Sequence, residues 1–169
     1  MKSILLFGST TETGKYLKKV HSLYFKNINL YEYSRKNKNA FFLNLKSFNF
    51  PKEMQIGDQF YIVSLAPIWL FVPFLEKYLE KNNASLIKGI TITSSTSSIT
   101  KRYTWNIYDK KLSRKLLFWE KKLFRLQEFY NLDITLIRPT LIYGNLGENN
   151  DKNITKLMKI MRNWPIIPI

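Results

Sequence analysis

Cysteine is absent from the 169 residues, which excludes disulfides, thiolate zinc sites and cysteine nucleophiles. Histidine is nearly absent. His21 stands alone, leaving little room for a histidine-bound metal or a Ser-His-Asp triad, so no metal site is expected and His21 is assigned a structural role. No apolar run comfortably spans a bilayer. The longest, FYIVSLAPIWLFVPFL from Phe60 to Leu75, holds Pro67 and Pro73 and is better explained as a buried strand leading into a buried helix. The early ILLF is far shorter than the apolar region of a secretory signal. A cytoplasmic location without a membrane partner is therefore expected.

Acidic residues are also scarce, 12 against 27 Lys+Arg, for a net charge of +15. Two readings stay open. The excess is nearly all lysine, spread among asparagine, isoleucine and phenylalanine, as an AT-rich coding bias would leave it on a solvated surface. Alternatively it marks a surface for a polyanion. The first reading implies no specific nucleic-acid partner. A nucleic-acid-binding domain would instead cluster lysines and aromatics on one face, and no RNA-recognition signature is present.

What is present describes a globular chain. Hydrophobic residues make up 45% and aromatics 15%, enough for a buried core in a single domain of this length. Strand-like and helix-like patterns alternate without repeats. SILLF, NINLYEYS, FFLNL, QFYIVSL, GITITSS and DITLIRP have strand character. Leu17, Val20 and Tyr24 mark one face of a helix beginning near Gly14, a second helix covers roughly Leu70 to Lys81, and Leu112, Leu116, Trp119, Leu123, Leu126 and Tyr130 form the stripe of a long third helix. Such alternation predicts an α/β, doubly wound parallel sheet with helices on both faces. After the loop-like NLGENNDKN, ITKLMKIMRNW has helical spacing and the chain ends in PIIPI. This apolar tail suggests a fold cut short and a tendency to self-associate.

Chemistry is concentrated at the strand ends. In GSTTETG, Gly8 ends a strand and Gly14 opens a helix. The spacing suits a G-x-x-G-x-x-G dinucleotide turn with Thr11 in the place of the middle glycine; a plain βα loop is the alternative. Gly8 would permit the tight turn and Gly14 the close helix–strand packing, with the helix N-terminus facing a pyrophosphate. Thr11 must then either crowd the phosphates or donate its hydroxyl to them. At the end of the second strand stand Ser34 and Arg35, with no acidic residue at the tip. Arginine there accommodates a 2′-phosphate, which favours NADP over NAD. The hydroxyl cluster SSTSSIT follows the fifth strand, on the side of an open sheet where ligands bind.

These residues, with SLAP at Ser64 to Pro67 and ITLIRPTLIYG further on, resemble the extended short-chain dehydrogenase/reductases, the NAD-dependent epimerase/dehydratase family acting on nucleotide sugars. The likeness is to an atypical branch of nucleoside-diphosphate-sugar epimerases. It runs along the whole chain but spans only the cofactor-binding half of the family's usual length. It implies a Rossmann-type NAD(P)-binding domain over residues 1–169, expected to be truncated at the C-terminus relative to the family, with a nucleotide-sugar substrate. It also implies that Gly8, Thr10, Thr11, Glu12, Thr13, Gly14, Ser34, Arg35, Leu65, Ala66 and Pro139 bind the cofactor. The family's catalytic set is a Ser/Thr after the fifth strand and a Tyr-x-x-x-Lys on the next long helix. Thr96 matches the first. The nearest match to the second is Phe118-x-x-x-Lys122, which keeps the cation and lacks the proton-transfer group; ordinary helix surface is the alternative for this pair. Weak or absent activity follows. Two alternatives are a non-catalytic NADP-binding regulator or assembly factor and, less favoured, a basic nucleic-acid-binding domain.

Overall fold

The computed structural model describes residues 3–35, 41–54, 59–140 and 160–162. Six parallel strands make one sheet: β1 (Ser3–Phe7), β2 (Asn29–Ser34), β3 (Phe41–Phe42), β4 (Phe60–Ser64), β5 (Ile87–Thr93) and β6 (Ile134–Ile137). Their order is β3-β2-β1-β4-β5-β6. Helix α1 (Glu12–Tyr24) joins β1 to β2, and α2 (Ile68–Leu79) joins β4 to β5. The short α3 (Ser97–Thr100) and the long α4 (Ile107–Tyr130) join β5 to β6. The chain builds outward from β1 on one side and then resumes at β4 on the other. The crevice beyond the carboxyl ends of β1 and β4 is therefore the switch point at which open α/β sheets hold ligands.

Right-handed crossovers place α1 on one face of the sheet and α2 with α4 on the other. The packing agrees. The Phe7 ring lies 5.2 Å from Phe71 and 5.6 Å from Phe74 of α2, and Phe7 and Leu5 belong to the main buried cluster. Leu6, between them and equally buried, points to the opposite face, as strand alternation requires. There α1 is seated by its buried Gly14. Farther along that face Tyr61, Thr135 and Ile137 are exposed, so the half of the sheet made by β4, β5 and β6 is sparsely covered among the described residues. The doubly wound α/β architecture is as the sequence pattern predicts.

Local signals explain the element boundaries. Apolar residues nearly all around α2 (Ile68, Phe71, Val72, Phe74, Leu75, Tyr78 and Leu79 are buried) make it a core helix rather than an amphipathic one. Asn106 caps α4 by accepting from the N–H groups of Tyr108 and Asp109, and Asn131 closes it at φ 50°. FFLNL pairs only through Phe41 and Phe42, because Asn44 accepts from the Lys46 N–H and starts a tight turn over Leu45–Ser47. Helix α1 begins at Glu12, two residues before Gly14, since Thr11 serves as its cap. Of the expected helix over 154–164, residues 160–162 are helical with Ile160 and Met161 about half exposed. The rest of that segment and the PIIPI tail lie outside the described residues. Among the described residues no helix is long and apolar enough to cross a membrane.

Candidate functional site

The stretch GSTTETG forms a close-packed turn between β1 and α1. Gly8 has φ 83°, and a Cβ there would lie 2.9 Å from the Ala66 nitrogen. Only glycine combines that conformation with so near an approach of the loop after β4. At Gly14 a Cβ would stand 2.8 Å from the carbonyl oxygens of both Gly8 and Ser9. The first and last glycines are therefore dictated by backbone contact. Thr11 turns its hydroxyl inward, donating to the Gly8 carbonyl at 2.9 Å and accepting from the Gly14 N–H at 3.1 Å. Of the two options the sequence left for Thr11, the hydroxyl proton goes to the turn rather than outward to a ligand.

Beside this turn is a cavity of about 240 Å³. Gly8, Thr10 and Thr11 line one wall, Ser34 and Arg35 the end of β2, and Leu65, Ala66 and Pro67 the end of β4. Leu43 to Leu45 close the outer side, and Phe7 and Tyr33, stacked at 5.3 Å, reach it from the core. The Thr10 and Ser34 hydroxyls lie 3.1 Å apart and tie the turn to the β2 tip. No carboxylate lines the cavity among the described residues. Glu12 and Thr13 lie in the first turn of α1 but not in the lining, and Glu12 is paired with Lys15 at 2.8 Å. Pro139 is also outside it, its carbonyl accepting from the N–H and hydroxyl of Thr96 at 3.2 and 3.3 Å. Seven of the eleven expected cofactor residues are thus brought together, and Glu12, Thr13, Gly14 and Pro139 stand behind or away from the wall.

Tyr33 supports this cavity from below. Its hydroxyl donates to Glu53 at 2.6 Å, and burial, reinforced by that carboxylate, raises its pKa far above the usual phenol range. Tyr78, which donates to the Met54 carbonyl at 2.8 Å, is pushed up to about 12 by burial. Both phenols stay protonated in the fold while the unfolded chain ionises near pH 10. Their contribution to stability is therefore complete below pH 10 and lost as pH rises beyond it, at about 1.4 kcal/mol per pH unit for each tyrosine. Urea unfolding between pH 9 and 11 should show this fall, with a shallower slope in Tyr33→Phe.

The carboxyl end of β5 has a different arrangement from the expected catalytic set. Ser94 donates to Glu120 of α4 at 2.5 Å, and Arg138, after β6, donates to the same carboxylate at 2.7 and 3.1 Å. Glu120 is 2% exposed, and its bond raises the Arg138 pKa further. Ser113 of α4 donates to the carbonyl of the buried Ser98 at 2.8 Å. The α4 face over the end of β5 is therefore that of Ser113, Leu116 and Glu120. Phe118 and Lys122 do not share it. At ~100° per residue both lie about 200° around the helix from Glu120. Phe118 is 59% exposed with its ring against Trp119, and Lys122 forms an ion pair with Glu76 of α2 at 2.6 Å. The structure does not bring Thr96, Phe118 and Lys122 together: Thr96 stays with Pro139, and the pair belongs to the outer and α2-facing sides of α4. Glu120 as the partner of Ser94 was not foreseen, although a carboxylate four residues after Leu116 and three before Leu123 sits on the core stripe and could have signalled a buried charge. His21 bonds the Ile28 carbonyl at 2.9 Å through Nε2, away from the cavity. No group of three or more His, Asp or Glu suited to a metal occurs among the described residues.

No protein-family model matches the chain, and no curated protein sequence matches it. Solved structures do. A UDP-N-acetylglucosamine 4-epimerase from Bacillus cereus aligns at 17% identity with a TM-score of 0.66, over 95% of this chain and 66% of that one. A GDP-L-fucose synthetase from Naegleria fowleri bound to NADP aligns at 18% and 0.59, over 96% and 59%. A short-chain dehydrogenase/reductase superfamily protein from Agrobacterium tumefaciens with bound NAD aligns at 11% and 0.57, over 80% and 48%. The class defined is that of Rossmann-type α/β folds, shared with these dehydrogenase, reductase and epimerase structures. The chain spans about half to two thirds of the length of these solved structures.

Proposed function

We infer that the chain binds a nicotinamide dinucleotide, with NADP(H) preferred, on an epimerase/dehydratase-like scaffold of the nucleotide-sugar class that has lost turnover. The observation that carries this reading is the cavity itself. The Gly8 turn, Thr11 as the cap of α1, and Arg35 meet around one concave space with no lining carboxylate among the described residues, which suits phosphates. Its 240 Å³ is below the ~300–1,000 Å³ of pockets that enclose a whole ligand. That size suits the adenosine-phosphate half, leaving the nicotinamide half over the ends of β4 and β5. When bound, the cofactor would supply hydride transfer. Thr10 and Ser34 would face the ribose and pyrophosphate side, Arg35 the 2′-phosphate, and Leu65 and Ala66 the adenosine.

The non-catalytic reading is favoured over an active enzyme by the α4 face beside Thr96. Its carboxylate, Glu120, is held by Ser94 and Arg138 and is not free to exchange a proton with a ligand. Phe118→Tyr would put a phenol on the outer side of α4 and restore nothing. Calorimetry with NADP⁺ and NAD⁺ tests the binding. Arg35→Ala should weaken NADP⁺ by about 1.5–3 kcal/mol, the range for hydrogen bonds to charged groups, and leave NAD⁺ unchanged. Equal affinities unaffected by the substitution would remove the role given to Arg35. Tritium exchange from a nucleotide sugar should be undetectable, and clear exchange abolished by Thr96→Ala would overturn the inactive reading.

A further inference from the structure

The outward face of α4, remote from the dinucleotide cavity, carries cations and exposed rings together. Lys110, Arg114, Phe118 and Lys121 fall on one helical stripe, and with Arg102 and Tyr103 of the preceding loop they line a shallow groove of about 520 Å³. None of these residues lines the dinucleotide cavity. Among the described residues none of the four cations has a carboxylate partner. The nearby acids are engaged elsewhere, Asp109 by Lys101 and Glu120 by Arg138. In the groove Tyr103 is 83% exposed and Phe118 59%; Trp105 and Tyr108, also exposed, belong to the adjoining segment and do not line it. The Arg102 guanidinium lies 5.4 Å from the centre of the Tyr103 ring.

Two exposed rings beside unpaired cations suit a partner that is anionic and offers flat surfaces. A second copy fits poorly, because a two-fold contact across α4 would oppose Lys110, Arg114 and Lys121 to their own copies. An acidic peptide would satisfy the cations but would find only Tyr103, Leu117 and Phe118 to pack against among the lining residues, and a helix face offers no free backbone edge for strand addition. Bases stack on aromatic rings while phosphates meet cations spaced along the groove. On α4 these cations recur at about 6 Å and then about 10.5 Å along the helix axis. We propose that this face binds single-stranded nucleic acid without sequence preference, Tyr103 and Phe118 stacking bases and Arg102, Lys110, Arg114 and Lys121 holding the backbone.

The test is fluorescence anisotropy of the full chain with a labelled 20-nucleotide oligothymidylate, a mixed-sequence 20-mer and a 20-base-pair duplex, from 50 to 200 mM salt. The two single strands should bind alike. Four backbone contacts should weaken them about 50-fold across that salt range, from the ~0.7 counterions released per contact on single strands. Arg114→Glu with Lys121→Glu should reduce the salt effect to about sevenfold. Tyr103→Ala with Phe118→Ala should lose at least fivefold in affinity, since stacking on a single ring alone accounts for about that much, while keeping the salt slope. Lys81→Glu with Lys88→Glu, exposed positions off the groove, should cost much less than the groove pair. Circular dichroism and the thermal midpoint of each variant report on the fold. The proposal fails if the off-groove pair weakens binding equally, if the duplex binds as tightly and ignores the ring substitutions, or if polyglutamate competes as well as oligothymidylate. It also fails if sedimentation shows a dimer that Arg114→Glu dissociates.

Discussion

Replacing Arg138 by leucine should destabilise the protein by about 3 kcal/mol. Glu120 is 2% exposed, and two of its three side-chain bonds come from Arg138. Removing one partner of a buried pair leaves an uncompensated charge, which costs about 3–5 kcal/mol. Arg138 itself keeps 32% of its side chain in solvent, so water can partly replace it and the lower end applies. The Ser94 hydroxyl alone cannot neutralise the carboxylate. Replacing both partners, Arg138→Leu with Glu120→Leu, should recover most of the loss, because well-packed apolar residues often equal or exceed a buried ion pair. Urea unfolding of the two single variants and the double variant measures the coupling. A double variant no more stable than Arg138→Leu would show that Glu120 is held by other contacts.

Gly8→Ala should cost about 2–5 kcal/mol and, on the function proposed above, abolish dinucleotide binding. The positive φ of 83° accounts for ~1–2 kcal/mol with any L side chain. The added Cβ, 2.9 Å from the Ala66 nitrogen, adds strain of ~1–3 kcal/mol because the obstacle is backbone and cannot rotate aside. Gly14→Ala sets two effects against each other. Alanine gains up to ~1 kcal/mol in helix propensity, but its Cβ would meet two carbonyl oxygens at 2.8 Å, so the clash prevails. Gly89→Ala is the control. Its Cβ would meet the movable Tyr61 ring at 3.3 Å, and the change should be small. Chemical denaturation of the three variants ranks these costs; a Gly89→Ala loss equal to that of Gly8→Ala would contradict the backbone argument.

Much of the cavity was legible because it depends on strand ends. Gly8, Ser34 and Leu65 each sit at or just past the carboxyl end of a segment with strand character. In a parallel sheet all such ends lie on one side, so locating the runs also located the wall. The same logic failed at the third strand. FFLNL has strand composition, yet the Asn44 turn, a local side-chain-to-backbone bond, ended the pairing after Phe42. On α4 the apolar stripe was read correctly, but Phe118 and Lys122 were grouped with Thr96 by motif spacing rather than by phase. Spacing of four places two residues on one face without saying which face it is.

By itself the sequence determined the order of strands and helices, the parallel sheet and the glycine turn. These follow from apolar periodicity and from backbone conformations that few residues can adopt. Tertiary structure alone decided the rotation of α4. Packing of Leu116, Leu123 and Leu126 into the core turned Glu120 inward to Arg138, Lys122 sideways to Glu76 and Phe118 outward to the basic groove. A helix advances ~100° per residue, so a rotation smaller than one residue's step changes which side chains meet the sheet. Only the shape of the core against which the helix packs settles that angle.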